Sequence, residues 1–455
     1  MDAKELIHKY NVPGPRYTSY PTVPFWKKNA FKPNEWLSEF KKAFILYPNS
    51  SIGLYIHLPF CESLCTFCGC HKRITKNHSV ESPYIDALIQ EWKLYLQHLP
   101  KEPVISELHF GGGTPTFFDP TELLRLLKGI FQVETMDPKQ CDLSFEAHPN
   151  STSKEHLQAL FNFGFRRVSF GIQDYDPKVQ QAIHRVQSFD EIKAVHEQSK
   201  HIGYTSINHD LVYGLPHQNL LGFEKTIDHT LLLKPERIAL YGYAHVPWIK
   251  GTGQRGYDDK DLPQEHEKRA LYEMACEKLI QHGYQAIGMD HFALPTDSLS
   301  RAFSSKKLHR NFMGYTTQTT KFLIGLGMSA ISDCWTGFAQ NEKTVEAYQA
   351  QIARGELAIF RGHVLTELEL EIRSYILDIM CHFETSFRTD SRFIDTHEFI
   401  KSKLAPLVAD GLVSIQDSTV TVTETGYPFV RNICMAFDLD LHHYHGNKPL
   451  FSATI

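Results

Sequence analysis

Between about residue 50 and residue 290 the sequence changes its hydrophobic period repeatedly, and this alternation limits the fold more than any other feature. Short β-rich runs stand at Ile52–His57, Ile105–Phe110, Leu143–Ala147, Val168–Ile172, Ile207–Val212, Ile238–Tyr243 and Gln285–Met289. Stretches with helical spacing lie between them, at Ser82–Leu99, Thr121–Phe131, Lys154–Phe163, Asp190–His201 and Gln264–Gln281. Strands separated by helices imply βαβ units, hence an α/β fold with a parallel sheet and right-handed crossovers. About six such units curl into a full or partial barrel, a (β/α)6-type arrangement whose chemistry sits at the C-terminal ends of the strands. His57–Cys70, Gly111–Thr114, Glu146, Gln173 and Asp210 each come at or just after an apolar run, which predicts that they share one site.

The tail reads differently. Leu365, Leu368, Ile372, Tyr375, Ile376 and Ile379 repeat at helical spacing, and Phe399–Val408 reads as a helix ended by Asp410-Gly411. Leu412–Ile415 and Val420–Thr423 then flank a turn as a β-hairpin. The chain therefore divides into an N-terminal segment 1–48 beside the substrate, a core barrel 49–345, and a small winged-helix-like domain 346–455 that is mostly helical with a hairpin. Its 455 residues suit two or three domains. A net charge of −5 offers no basic field for a polyanion, so nucleic acid is excluded as a partner. No run of about 18 uncharged apolar residues occurs, so no membrane span is expected. Met1–Tyr10 has no hydrophobic region of a signal peptide, and a cytoplasmic protein is expected.

Four of the nine cysteines fall between Cys61 and Cys70 with spacing C-x3-C-x2-C-x-C, while the other five are scattered singly. A clustered, odd set in a large chain argues for metal binding or catalysis and against a disulfide framework. Close spacing lets one loop wrap an iron–sulfur cube, and binding by three thiolates leaves one iron open to an exogenous ligand. The rival is a four-cysteine zinc site. Zinc sites draw ligand pairs from two separated segments, so this spacing favours the cluster.

Cys61-x3-Cys65-x2-Cys68 with Phe67 before the third cysteine resembles the radical S-adenosylmethionine (SAM) superfamily. The resemblance implies one [4Fe–4S] cluster held by Cys61, Cys65 and Cys68, with SAM on the open iron and Tyr55 and Phe67 packed at the cofactor. Electron transfer then splits a carbon–sulfur bond of SAM to give a 5′-deoxyadenosyl radical. Gly111-Gly112-Gly113-Thr114-Pro115 follows a strand; its glycines allow close backbone approach, with N–H groups free to bond a carboxylate. It resembles the glycine motif that meets the methionine amino group of SAM in this superfamily. Glu146, Gln173, Arg185 and Asp210 supply the carboxylates and the guanidinium that a zwitterionic nucleoside needs. His148, His209 and His245 read as structural or solvent-facing.

Over nearly its whole length the chain resembles the bacterial oxygen-independent coproporphyrinogen III oxidase (dehydrogenase) family. The matching segments are Gly14–Pro21, Tyr55–Cys70, Phe110–Thr116, Phe170–Asp174, Asp210–Pro216, Tyr243–Pro247, Gly288–Ala293, Leu308–Thr317, Gly325–Ser332 and Arg431–Asp438. The resemblance implies oxidative decarboxylation of two propionates of coproporphyrinogen III to vinyls, giving protoporphyrinogen IX in haem biosynthesis. It implies a monomer served by a low-potential donor such as flavodoxin or ferredoxin. It also implies a second SAM, lined by positions matching Gly113, Thr114, Gln173, Ala244 and Ile331. Arg16 and Arg310 are expected to anchor substrate carboxylates. Two departures stand out: Met313 occupies a position where a Gln is expected beside the second SAM, and Glu146-Ala-His148-Pro replaces Glu-x-Asp-Pro. The related haem chaperones and anaerobic porphyrin-modifying radical SAM enzymes are the rivals; the chaperones usually lack the Cys68-Gly-Cys70 end and the Arg16–Pro21 segment present here.

Overall fold

The structure is a computed structural model that describes residues 3–28, 31–132, 137–247, 254, 256–446 and 450–454. Six strands lie side by side in chain order, all parallel: β1 (Ile52–Leu58), β2 (Ile105–Gly112), β3 (Asp142–Ala147), β4 (Arg167–Gln173), β5 (Ser206–Tyr213) and β6 (Arg237–Gly242). Helices Glu81–His98, Pro120–Ile130, Lys154–Phe163, Phe189–Ile202 and Leu220–Leu233 cross between them. The first four follow the predicted periodic stretches closely. The fifth has no counterpart in the pattern, because Leu220, Leu221 and Leu232 lie exposed on it and blur the helical period. Local chemistry fixes the helix ends. Ser153 and Ser188 open their helices with capping boxes, and Asp119 and Asn219 accept from backbone N–H groups at theirs; each such cap contributes about 1 kcal/mol.

Within the strands, alternate residues face opposite ways. Leu108 and Phe110, Leu143 and Phe145, Val168 and Phe170, Ile207 and Leu211, and Ile238 and Leu240 are buried in one core beneath the helices, against Leu88, Trp92, Leu123, Leu127 and Leu157. The residues between them are polar: His109, Glu146, Ser169, Asn208, Asp210 and Tyr241, from five successive strands, line a cavity of about 120 Å³. A flat sheet could not bring five strands around one space, so the sheet is curled into a partial barrel. Charges inside it are paired. Arg167 holds Asp142 through two bonds of 2.7 and 2.9 Å, and Arg237 meets Asp297 at 2.7 Å.

The sheet continues past both edges of the barrel. Phe322–Leu326 runs parallel to β1, followed by the antiparallel strands Ile331–Asp333, Gly337–Asn341 and Ile359–Val364 and the edge strand Lys27–Lys28. At the other edge the run read as Gln285–Met289 forms a strand at Gln285–Ile287, but it pairs antiparallel with His291–Ala293, which is antiparallel to β6. The intervening Gly288-Met289-Asp290 is too short for a crossover helix, so a hairpin is the only connection available. Ile372, Tyr375, Ile376, Ile379, Leu404 and Val420 build a second core in the tail, joined by Leu6, Tyr17 and Tyr20 of the N-terminal segment. There the hairpin Val413–Gln416 with Thr419–Val422 gains a third strand, Glu384–Ser386. Arg431 donates to Pro15 O at 2.9 Å, and Tyr17 donates to Asp438 at 3.0 Å, tying the N-terminal segment to the tail. Among the described residues no helix is long and apolar enough to cross a membrane.

Candidate active site

The chain leaves β1 into a loop that carries all four clustered cysteines. Phe60–Cys61 pairs with Arg73–Ile74 and closes the loop at its base. Thr66 bonds it to the far side of the barrel through Ile183 O at 3.0 Å and Ala182 O at 2.8 Å. Lys72 draws the loop inward, donating to Cys68 O at 3.1 Å and Cys70 O at 3.2 Å. Cys61, Cys65 and Cys68 are half-buried and Cys70 is more exposed, and all four line a cavity of about 380 Å³.

Each of these three sulfurs has a donor aimed at it. The Thr114 hydroxyl donates to Cys61 Sγ at 3.3 Å, and Arg185 Nη1 to Cys65 Sγ at 3.7 Å. A hydrogen bond from the Cys70 thiol is the chief cause that pulls the Cys68 thiol below its ordinary range, against its burial. Burial pushes Cys61 up to about 11, with the Thr114 bond working the other way. Three thiols with one donor each, and a fourth cysteine used as a donor, form a set suited to anionic sulfur ligands around a cluster with one open corner.

Across the cavity stand the ends of β2 to β5. Gly113 passes so close to the cysteine loop that a Cβ there would meet the Pro59 backbone at 2.6 Å. The amides of the glycine tract are already used: Gly112 donates to Glu146 at 3.2 Å, Gly113 to Leu58 O at 2.9 Å and Thr114 to Phe60 O at 3.0 Å. The tract therefore acts here by close packing of two backbones rather than by offering free N–H groups. Desolvation opposes ionisation of Glu146, but the His109 imidazole and the Gly112 amide outweigh it and hold the carboxyl below its usual range. Burial pushes Asp210 up to about 6, although Ser169 and Asn208 each donate to it at 2.8 Å. Gln173 takes φ +69°, a left-handed conformation that a non-glycine residue holds only under constraint.

A model of the radical SAM superfamily matches residues 55–230 of this chain. Oxygen-independent coproporphyrinogen III oxidase from Pseudomonas aeruginosa is 37% identical over 99% of this chain and 98% of its own length. The Escherichia coli protein of the same name is 39% identical over 95% of this chain and 94% of its own. The chain belongs to the oxygen-independent coproporphyrinogen III oxidase family. A solved structure described as coproporphyrinogen III oxidase (HemN) from Escherichia coli, a radical SAM enzyme, superposes with a TM-score of 0.88 at 37% identity, covering 94% of this chain and 98% of that one. The cofactors of a family within this superfamily are a [4Fe–4S] cluster and SAM, and the donor set above fits both.

For a member of the oxidase family, the predicted site residues fall into three groups. Cys61, Cys65, Cys68, Phe67, Gly112, Gly113, Thr114, Glu146, Gln173, Arg185 and Asp210 all line the large cavity. Tyr55 lies just behind the glycine tract, donating at 3.0 Å to His57 Nδ1; the other ring nitrogen of His57 donates to His71 O at 2.8 Å, which fixes the tautomer. Ala244, Ile331, Arg16 and Arg310 lie away from that cavity. Ala244 O accepts from Gln254, and Ile331 packs with Trp26, Phe312 and Phe338. Arg16 donates to Gly242 O at 2.9 Å, and the buried Arg310 stacks over Tyr315 and donates to Arg16 O at 3.2 Å. His148 caps a turn and also lines the cavity, His209 is buried against His196, and His245 faces Asp259. Sequence reasoning missed His109, Ser169 and Asn208, which orient the two site carboxylates; their period-two spacing opposite the apolar positions was the available signal.

Proposed function

We propose that the chain performs oxygen-independent oxidative decarboxylation of two propionates of coproporphyrinogen III, giving protoporphyrinogen IX in haem biosynthesis. The observation that carries this reading is the single cavity in which Cys61, Cys65 and Cys68 face Gly113, Glu146, Gln173, Arg185 and Asp210, in a chain whose curated relatives of that name match it from end to end. Cys61, Cys65 and Cys68 hold the cluster, and Cys70 serves as a donor to Cys68. When bound, the cluster and SAM together supply a 5′-deoxyadenosyl radical. Glu146 and Asp210 are placed for the ammonium and ribose hydroxyls of SAM, and Arg185 for its carboxylate. Gly113, Thr114, Gln173, Ala244 and Ile331 are assigned to a second SAM, and Tyr55 and Phe67 support the first. Arg16 anchors the substrate, with Arg310 supporting it from behind.

The protein's task is positional: to hold one propionate β-carbon at the radical and keep quenching solvent out. The substrate radical left after hydrogen abstraction at the β-carbon loses CO2 and one electron to give the vinyl group, so the chain needs an acceptor for that electron and a low-potential donor, a flavodoxin or ferredoxin, for the cluster. We further propose a cytoplasmic monomer in which the segment 1–48 and the tail 346–455 close over the barrel 49–345.

Anaerobic incubation of reconstituted protein with SAM, a reductant and coproporphyrinogen III tests the reading. CO2, 5′-deoxyadenosine and protoporphyrinogen are expected. Haem retention without turnover, or a methylated product, would overturn it.

A further inference from the structure

Two buried glutamines are bonded to the wall of the cysteine cavity without lining it. Gln180 is in the short helix Pro177–Ala182, and Gln187 stands just before the helix Phe189–Ile202; they are 4% and 1% exposed. Between them in sequence is Arg185, which does line the cavity. Gln180 joins its carboxamide to the Gln187 peptide in both directions. Its oxygen accepts from Gln187 N at 3.2 Å, and its nitrogen donates to Gln187 O at 2.8 Å and to Asp174 O at 2.9 Å. The Gln187 side chain in turn donates to Ile172 O at 2.6 Å and to Gly171 O at 3.2 Å, at the end of β4. Both hydrogens of each amide nitrogen are thereby used, which fixes the two side chains.

The wall that this pair braces is strained. The pairing of β4 with β5 slips between Gly171 and Gln173, and Gln173 at φ +69° and His184 at φ +51° hold left-handed conformations that persist only where their surroundings over-determine them. Arg185 is gripped from the same groups. Its backbone N–H donates to Gln180 O at 2.9 Å, its Nη2 donates at 2.6 Å to Gly171 O, the carbonyl that Gln187 also holds, and its Nη1 reaches Cys65 Sγ at 3.7 Å. The guanidinium has no carboxylate partner among the described residues, and its Nε is buried without a hydrogen-bond partner. The neutrality of the braces matters here. A carboxylate in their place could not donate to these carbonyls and would compete with an anionic ligand for the guanidinium, and a lysine would repel it. A carboxamide supplies the bonds and leaves the charge of Arg185 for a ligand.

We propose that Gln180 and Gln187 are positioning residues for SAM: they lock the end of β4 to the Arg185 loop at the spacing at which the guanidinium meets the SAM carboxylate. They touch no ligand and act through Arg185 and the Gly171 carbonyl. This rests on the role proposed above for Arg185 and extends it to two residues outside the cavity.

The test is equilibrium dialysis of SAM against anaerobically reconstituted protein, with iron and sulfide measured on each sample. Gln187→Met, which keeps the volume and removes the amide, is expected to raise the Kd for SAM about tenfold at wild-type iron content, as loss of a charge-assisted bond implies. Gln180→Met, which frees Gln187 from the other side, should raise it at least about threefold. On an Arg185→Gln background, where the guanidinium is already gone, either substitution should change the Kd by less than about twofold, because residues that act through one contact are not additive. An unchanged Kd in both methionine variants would overturn the positioning role. So would a loss that persists in full on the Arg185→Gln background, since it would mark a general loosening of the barrel. Failure of the underlying reading looks different: Arg185→Gln alone would then leave the Kd unchanged, or wild-type protein would bind no SAM.

Discussion

Two glycines flank the cysteine cluster in space, and the structure assigns them opposite sensitivities. A methyl group added at Gly113 would sit 2.6 Å from both the carbonyl carbon and oxygen of Pro59 and 2.9 Å from Phe60 O, all backbone atoms that begin the cysteine loop. Ordinary contact starts near 3.4 Å, so the loop must retreat by about 0.8 Å or the glycine tract must yield by as much. Overpacking of this kind costs about 1–3 kcal/mol. The larger effect falls on geometry, because a displacement approaching 1 Å at a reacting centre lowers rates by about 100-fold. At Gly69, four residues beyond Cys65 in the same loop, an added Cβ meets nothing within 4 Å. Gly113→Ala is therefore expected to lower reductive cleavage of SAM by about 10- to 100-fold while iron is still bound, and Gly69→Ala to lie within about twofold of wild type. The assay is 5′-deoxyadenosine formed per iron-loaded protein under dithionite, with iron and sulfide measured on the same sample. Equal activity of the two variants, in either direction, would refute the argument that close approach of the two backbones sets the cluster's position.

Three further outcomes follow from individual contacts. Serine in place of Cys61, Cys65 or Cys68 should reduce the iron content of reconstituted protein to near zero, whereas Cys70→Ser should keep most of it; loss of iron in Cys70→Ser would make Cys70 a ligand. Glu91, fully buried beneath Tyr348, Asn341 and the Gly327 amide, is pushed up to about 7 by burial. The fold thus binds a proton there that the unfolded chain binds only near 4.5. The Glu91 contribution should grow as pH falls from about 7 to 4.5 and be lost as pH rises through 7, an effect on the order of 3 kcal/mol. Urea midpoints across that range should slope less in Glu91→Gln, and parallel curves would contradict the assignment. Phe145→Ala, emptying a fully buried position under the crossover helices, should destabilise by about 3–5 kcal/mol in the same assay; a change below 1 kcal/mol would mean that the site collapses freely.

The six parallel strands were legible because Leu, Ile, Val and Phe recur at alternate positions along most of them, and most helices because Ser, Asp and Gly mark their ends. The cysteine loop, the glycine tract and the strand-end residues were also legible as one cavity, since a parallel sheet brings all its C-terminal ends to one rim. Other features were not. Gly325, Gly327 and Gly337 interrupt the apolar runs that extend the sheet from Phe322 to Val364; Gly325 is required because a Cβ there would meet Ile331 O at 2.4 Å. Pairings across neighbouring strands, such as His109 with Glu146 at 3.6 Å, join residues whose separation along the chain says nothing about contact. Arg310 read as a substrate anchor because an arginine between His309 and Asn311 looks polar, yet it is buried, stacked over Tyr315 at 4.4 Å and bonded to Arg16 O, contacts that lie far apart along the chain.

The alternation along the strands explains how one sheet can be both rigid and reactive. Outward positions such as Leu108, Phe145 and Phe170 carry the hydrophobic stabilisation, at about 1.5–3 kcal/mol for each large side chain buried. Because stability is secured on that face, the inward positions can hold groups that a packed core would reject: Glu146 beside His109, Asp210 between Ser169 and Asn208, Arg167 against Asp142. Each inward group is fixed by a partner on its own strand or the next, so its place follows from the sheet's register and not from a flexible loop. The cysteine loop alone departs from this plan, and it is tied at its base by the Phe60–Cys61 pairing and at its tip by Thr66 and Lys72. A redox centre must meet its ligand at a distance set to a fraction of an ångström, and a short loop anchored at both ends against a stiff polar wall meets that demand with few residues.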